Sequence, residues 1–146
     1  MGATIPAVIW TYIDGLKRHD VAGVSETVSD DLAFVTATTR LTKDQFLEML
    51  RALHTGFPDW HYHHDPPELR DTTVAVRWQQ GGTHTGTFAF PGMAPVHATG
   101  RTVKIPAQYF FYIVRDGRIL EIRPEVIPGG APRGILEQIV VSTPPL

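Results

Sequence analysis

Cysteine is absent from this 146-residue chain, which removes disulfide frameworks, thiolate nucleophiles and cysteine-based zinc sites together. Charge is sparse as well: only 19% of residues are Asp, Glu, Lys or Arg, and thirteen basic against fifteen acidic residues leave a net charge of −2. Without a basic block, the chain lacks the electrostatic footprint of a nucleic-acid or anionic-membrane binder. No apolar run approaches the ~20 residues of a membrane span, and the opening MGATIPAVIW has no basic stretch leading into an apolar core. These absences lead us to expect a soluble, cytoplasmic protein that contacts neither nucleic acid nor membrane. The length suits one domain, residues 1–146, burying roughly two-thirds of its unfolded surface. What the chain does have is seven His, three Trp, four Tyr and seven Phe.

The first half reads as helical. Pro6 opens a helix over about 6–18, with Val8, Ile9, Tyr12, Ile13 and Leu16 on one stripe. Asp20 can cap a second, shorter helix through Val21, Val24 and Val28, ending near Ser29. Leu32 to Ala37 is β-branched and apolar and predicts a strand. Thr42 with Gln45 forms a capping box for Phe46, Leu47, Leu50 and Leu53, and Gly56 is the stop. Thereafter the period becomes alternating. Strands are predicted over Trp60–Asp65, Thr73–Phe90 with a bend at Gly81-Gly82, Arg101–Arg115 and Ile119–Val126, the last two joined at Asp116-Gly117. Pro106 suggests an exposed or edge position. Pro132 opens a last helix carrying Ile135, Leu136, Ile139 and Val140, with Pro144-Pro145 as its end. The order specifies an α+β domain: a curved antiparallel sheet with helices on its concave side, forming a cone whose cavity would take a small molecule.

Phe57-Pro58-Asp59-Trp60 after a helix, Gly82-Thr83-His84-Thr85-Gly86 in a long strand, Thr99-Gly100-Arg101, and the run Arg115 to Glu121 at the hairpin resemble the SnoaL-like polyketide cyclases. These belong to the nuclear transport factor 2-like cone superfamily, and the resemblance covers about residues 10–126. It implies acid/base chemistry, an aldol cyclisation or isomerisation, on an apolar carbonyl compound, without cofactor or metal. It also implies a catalytic Asp at the end of the last strand, helped by a His and a Gln on the preceding strand. The Gln is kept as Gln108; Phe110 stands at the His position; Pro124 stands at the Asp position, followed by Glu125.

Two hairpin registers compete. A two-residue turn pairs Arg115 with Arg118 and puts Gln108, Phe110 and Tyr112 on a face with Glu121, Arg123 and Glu125. A three-residue loop with Gly117 in a bulge pairs Val114 with Arg118 and sets Gln108, Phe110 and Tyr112 against Pro124, Ile122 and Leu120. The second is preferred because it places apolar against apolar and is the register the resemblance requires. The opposite face then carries Tyr109, Phe111 and Ile113, either covered by a second subunit in a homodimer or by the C-terminal helix folding back.

Among candidate groups, His84 could relay a proton or merely brace the sheet, Glu125 could replace the missing Asp or pair with Arg123 or Arg133 at the surface, and Gln108 could orient a carbonyl or be a satisfied core amide. Tyr12, Phe34, Trp60, Tyr62, His64, Trp78, Phe110, Tyr112, Leu120 and Ile122 are the expected ligand-binding wall, suited to an apolar or polycyclic molecule. His61 and His63 share a strand face, but no third ligand lies at a matching spacing, so no metal is expected. Gly92-Met93-Ala94-Pro95 could form a rim, and Gly129-Gly130 could let the last helix shift over the mouth. The other reading of the same features is a non-catalytic binding protein for a small apolar ligand, or an isomerase, dehydratase or hydrolase of the same superfamily.

Overall fold

A computed structural model describes residues 4–90 and 92–140. The elements are helices α1 (Ala7–Lys17) and α2 (Val21–Thr27), strands β1 (Val28–Val35) and β2 (Arg40–Leu41), helix α3 (Lys43–Gly56), strands β3 (His61–His64), β4 (Glu68–Arg70), β5 (Thr73–Thr83), β6 (Thr102–Arg115) and β7 (Arg118–Pro124), and helix α4 (Arg133–Ile139). They build one sheet in the order β2-β1-β7-β6-β5-β3, with β4 also pairing β5. All pairings between these strands are antiparallel except β1 with β7, which is parallel.

The helix signals act as the sequence predicts. Ile9, Tyr12, Ile13 and Leu16 bury one stripe of α1. The Asp20 carboxylate accepts the Gly23 N–H at 3.0 Å and so caps α2. At α3 the box is complete: Thr42 Oγ1 accepts from Gln45 N at 3.3 Å while the Thr42 N–H donates to Gln45 Oε1 at 2.9 Å. Both helices lie over the concave face, where Phe34 stacks on Phe46 at 5.3 Å and Tyr12 meets Tyr112 edge-on at 5.3 Å.

Several boundaries differ from expectation. Strand β1 begins at Val28, where α2 hands directly into it, and ends at Val35. Strand β5 stops at Thr83, so Phe88 and Val96 meet only as an isolated bridge and Phe90 lies beyond the strand. Strand β7 ends at Pro124, which has no N–H to continue a ladder. Helix α4 opens at Pro132 as expected, while its predicted end at Pro144-Pro145 falls outside the described residues. Pro106 is exposed but not at an edge. It sits in central β6 where the register against β5 shifts, from Trp78 opposite Gln108 to Gln80 opposite Ile105, so that Pro106 and Ala107 share one partner position. A bulge leaves one residue unpaired, which is how a central strand tolerates proline.

The hairpin also corrects the preferred register. Asp116 (φ +53°) and Gly117 (φ +75°) both take left-handed backbone, and Arg115 pairs with Arg118: this is the two-residue turn whose twist matches its strands. The three-residue loop is absent. A bulge at Leu120 then advances the pairing, giving Tyr112 opposite Ile122 and Phe110 opposite Pro124. The apolar faces therefore still meet, through a bulge inside the strand rather than a longer loop.

Helix α4 closes the mouth of the cone instead of covering the outer sheet face, because Ile135 and the preceding Ala131 and Pro132 point into the interior. On the outer face Tyr109 and Phe111 stack at 6.0 Å and stay partly exposed, with the Arg70 guanidinium over the Tyr109 ring at 4.8 Å. No helix among the described residues is long and apolar enough to cross a membrane. Because the capping box holds two orphan donors of α3, Thr42→Ala should lower stability by about 1 kcal/mol with the fold intact, measured by urea denaturation. An unchanged midpoint would show that the box is energetically idle.

Candidate active site

The interior of the cone holds a cavity of about 50 Å³. Of the expected wall, Tyr12, Phe34, Tyr62, Trp78, Phe110 and Tyr112 line it. Helix α3 adds Phe46, Met49, Leu50 and Leu53, the loop after β5 adds Phe88 and Phe90, and Gln80 completes one side. Phe46, Leu50 and Leu53 belong to the stripe that identifies the helix, whereas Met49 lies outside it; Phe88 and Phe90 carry no such signal, because they reach the cavity from irregular chain.

The remaining expected wall residues sit elsewhere. Trp60 is buried against Phe57 and donates its indole N–H to Gln80 Oε1 at 3.2 Å. His64 meets the Trp78 ring at 5.3 Å and hydrogen-bonds the Asp65 carbonyl at 2.8 Å. Ile122 is fully buried without lining the cavity, and Leu120 is the half-buried bulge residue.

The three groups expected to carry chemistry also lie off the cavity wall. His84 is wholly buried, stacks on Phe57 at 5.1 Å, and accepts the Thr99 N–H at Nδ1 (3.2 Å), with the Thr99 hydroxyl 2.9 Å from the same atom. Burial lowers its pKa, and it braces the chain from Thr99 to Arg101. Gln108 is 1% exposed and spends its whole amide on the loop after β7: Nε2 donates to the Glu125 carbonyl (2.8 Å) and the Ala131 carbonyl (3.0 Å), while Oε1 accepts the Ala131 N–H (2.8 Å). Glu125 accepts the Tyr109 N–H at 3.2 Å and borders a separate groove of about 580 Å³ at the mouth. Cavity and groove share Phe90, Ala131 and Pro132 as a common wall.

What the sequence reading missed is a polar network at one end of the cavity. Trp78 donates its indole N–H to the Tyr112 hydroxyl at 2.9 Å, and Tyr12 lies beside Tyr112. The Tyr62 hydroxyl shares a 2.8 Å hydrogen bond with His54 Nε2. His54 stacks face to face on His19, 3.9 Å between centroids, and His19 Nε2 donates to the Trp60 carbonyl at 2.7 Å. Burial raises all three phenols above their ordinary 10, while burial first and then the neighbouring His19 push His54 down to about 4. At neutral pH the wall is therefore uncharged: the phenols keep their protons and no lining group takes one up. Among the described residues no three His, Cys, Asp or Glu cluster as a metal site; His61 and His63 face one another at 5.0 Å without a third partner.

The sequence profile of the SnoaL-like polyketide cyclases matches residues 7–125. The chain belongs to the SnoaL-like polyketide cyclase family. Comparison with curated proteins finds no match. Solved structures share the cone: a candidate SnoaL-like polyketide cyclase from Jannaschia sp. CCS1 (15% identity, 99% of each chain covered, TM-score 0.74) and a candidate hydroxylase, AclR, from Streptomyces galilaeus (20% identity, 91% of this chain and 92% of that one, TM-score 0.71). An NTF2-like protein of unknown function from Burkholderia pseudomallei K96243 is similar over 92% of this chain and 96% of its own, at 11% identity and TM-score 0.68. In this SnoaL-like chain, Phe110 and Pro124, which stand where the resemblance puts the catalytic His and Asp, are direct cross-strand partners. Both departures thus fall at one spot, beside Gln108.

Because the fold holds His54 below its ordinary 6.5, the unfolded chain takes that proton more readily. This contribution to stability is complete above about pH 6.5 and shrinks as pH falls towards 4. His54→Gln should flatten the stability loss between pH 7 and 5 in urea titrations. A His54 midpoint near 6.5 in an NMR titration of the wild type would contradict the desolvated environment.

Proposed function

We propose that this SnoaL-like protein binds a planar, apolar carbonyl compound with its rings in the aromatic cone and promotes enolisation, leading to cyclisation or isomerisation, without cofactor. The neutral hydrogen-bonding end of the cavity, Tyr12, Tyr62 and Tyr112 with Trp78, carries the reading. Uncharged donors in a dry site suit a neutral oxygen that gains negative charge as a neighbouring C–H is lost. Proton abstraction then falls to Glu125, which borders the mouth groove, since the phenols are pinned in their protonated form. A ligand of two or more rings needs several hundred Å³, so it would occupy the cavity and groove jointly.

The uncharged wall equally favours a second reading, a binding protein that shelters such a ligand without chemistry. The two separate on one measurement: hydrogen–deuterium exchange at the α-carbon of 1-tetralone in D₂O, followed by NMR. Enolisation predicts saturable acceleration, reduced about 100-fold or more by Glu125→Gln and roughly tenfold by Tyr62→Phe. Saturable binding of 1-tetralone with no acceleration selects the binding protein.

The partly exposed Tyr109 and Phe111 support a homodimer through the outer face of the sheet. Phe111→Arg should then shift the protein from dimer to monomer at micromolar concentration in analytical ultracentrifugation. A wild type that sediments as a monomer removes that assembly.

A further inference from the structure

An indole N–H can only donate, so the 2.9 Å bond between Trp78 and the Tyr112 hydroxyl runs in one direction. The 2.8 Å bond between His54 Nε2 and the Tyr62 hydroxyl can run in either, because a neutral imidazole carries its proton on one nitrogen or the other. The second nitrogen decides between them. His54 Nδ1 is buried without a hydrogen-bond partner. With the proton on Nδ1, that N–H has no acceptor, and Tyr62 spends its own proton on Nε2. With the proton on Nε2, the N–H is satisfied by the Tyr62 oxygen, and the Tyr62 O–H is released towards the cavity that its side chain lines and that has room for a water. Orphaned buried N–H groups are rarer in proteins than under-used acceptors, which favours the second arrangement.

The surroundings hold both rings in place. His19 follows α1 with left-handed backbone (φ +55°), where glycine would rest without strain. Its Nε2–H is fixed on the Trp60 carbonyl at 2.7 Å, and its ring lies within 4° of parallel to that of His54 at 3.9 Å. The Tyr62 ring is buried and meets His19, His54 and Trp78 edge-on, at centroid distances of 6.2, 5.9 and 5.9 Å. A phenol gripped on three sides cannot swing away; only its hydroxyl proton is left to turn.

We propose that His54 is a positioning residue for the ligand: held as the Nε2–H tautomer, it donates to the Tyr62 oxygen and so directs the Tyr62 hydroxyl proton onto the ligand's carbonyl oxygen. No proton is transferred. A hydroxyl that accepts one hydrogen bond donates a stronger one, and Trp78 stands behind Tyr112 in the same relation. The ligand half of this rests on the carbonyl reading of the cavity; the direction of the hydroxyl does not.

The test uses the full chain in two measurements. Long-range proton–nitrogen NMR correlation of the isotope-labelled wild type at neutral pH, with the His54 ring assigned through its side-chain connectivity, should show Nε2 protonated and Nδ1 bare. A protonated Nδ1, or an even mixture of tautomers, overturns the proposal. Binding is then compared between 1-tetralone and its carbonyl-free analogue tetralin. The wild type should prefer 1-tetralone by about tenfold, a preference abolished in Tyr62→Phe, reduced about fivefold in His54→Leu, which has no N–H, and kept in His54→Gln, whose amide can still donate. A merely structural His54 would weaken both probes alike, so an unaltered preference in His54→Leu overturns the positioning role. Should His54→Leu fail to fold, the tautomer of the wild type still decides. A wild type that does not prefer 1-tetralone to tetralin defeats the carbonyl reading and with it the ligand contact, while the tautomer alone decides which way the Tyr62 hydroxyl points.

Discussion

The inward-facing series of β6, Val103, Ile105, Gln108, Phe110 and Tyr112, is the constraint around which the molecule is arranged. Strict alternation would have turned Ala107 and Tyr109 inward after Ile105. The bulge at Pro106 and Ala107 resets the phase, and the bulge at Leu120 resets that of β7 so that Ile122 and Pro124 meet Tyr112 and Phe110. Each bulge also bends its strand, so the phase correction and the concavity have one cause. Helices α1 and α3 then have a hollow to cover, and the aromatic residues of both layers fill most of it.

Much of this was legible in the chain. Caps and stripes are local: Asp20, Thr42 with Gln45, and the apolar positions of α1 and α3 act within a turn or two of themselves, so they read correctly without neighbours. The hairpin was harder. Asp116-Gly117 signals a turn, and facing apolar residues signal a parity, but parity can be met by a longer loop or by a bulge, and only the twist of the whole sheet chooses between them. The same limit hid Pro106, whose bulge needs β5 as its partner.

The site was less legible than the fold because its polar end is made by packing between distant segments. His54 reads as the next residue after an apolar stripe; it becomes the partner of Tyr62, a residue of β3, and lies stacked under His19 from beyond the end of α1, only in the folded chain. Gln108 was visible as a candidate, yet its two partners, Glu125 and Ala131, come from irregular chain with no pattern to announce them. The resulting interior differs in kind from a site built on a buried carboxylate. It supplies oriented neutral dipoles whose protonation is fixed over the physiological range, and leaves any charge to the mouth, where Glu125 and the groove lie.

The parallel pairing of β1 with β7 carries a further implication, for the order in which the protein takes shape. Ala33 and Glu121 are neighbours in the sheet although nearly ninety residues separate them in the chain. As the chain leaves the ribosome, α1, α2, β1 and α3 are all made before the strand that anchors β1 to the main sheet exists. Their apolar faces, Phe34 and Phe46 among them, must wait for β6 and β7. Contacts this distant slow folding and lengthen the interval in which a half-made cone exposes aromatic surface. A truncation before β7 would leave β1 without its central partner, so the cone is an all-or-none product of almost the entire chain.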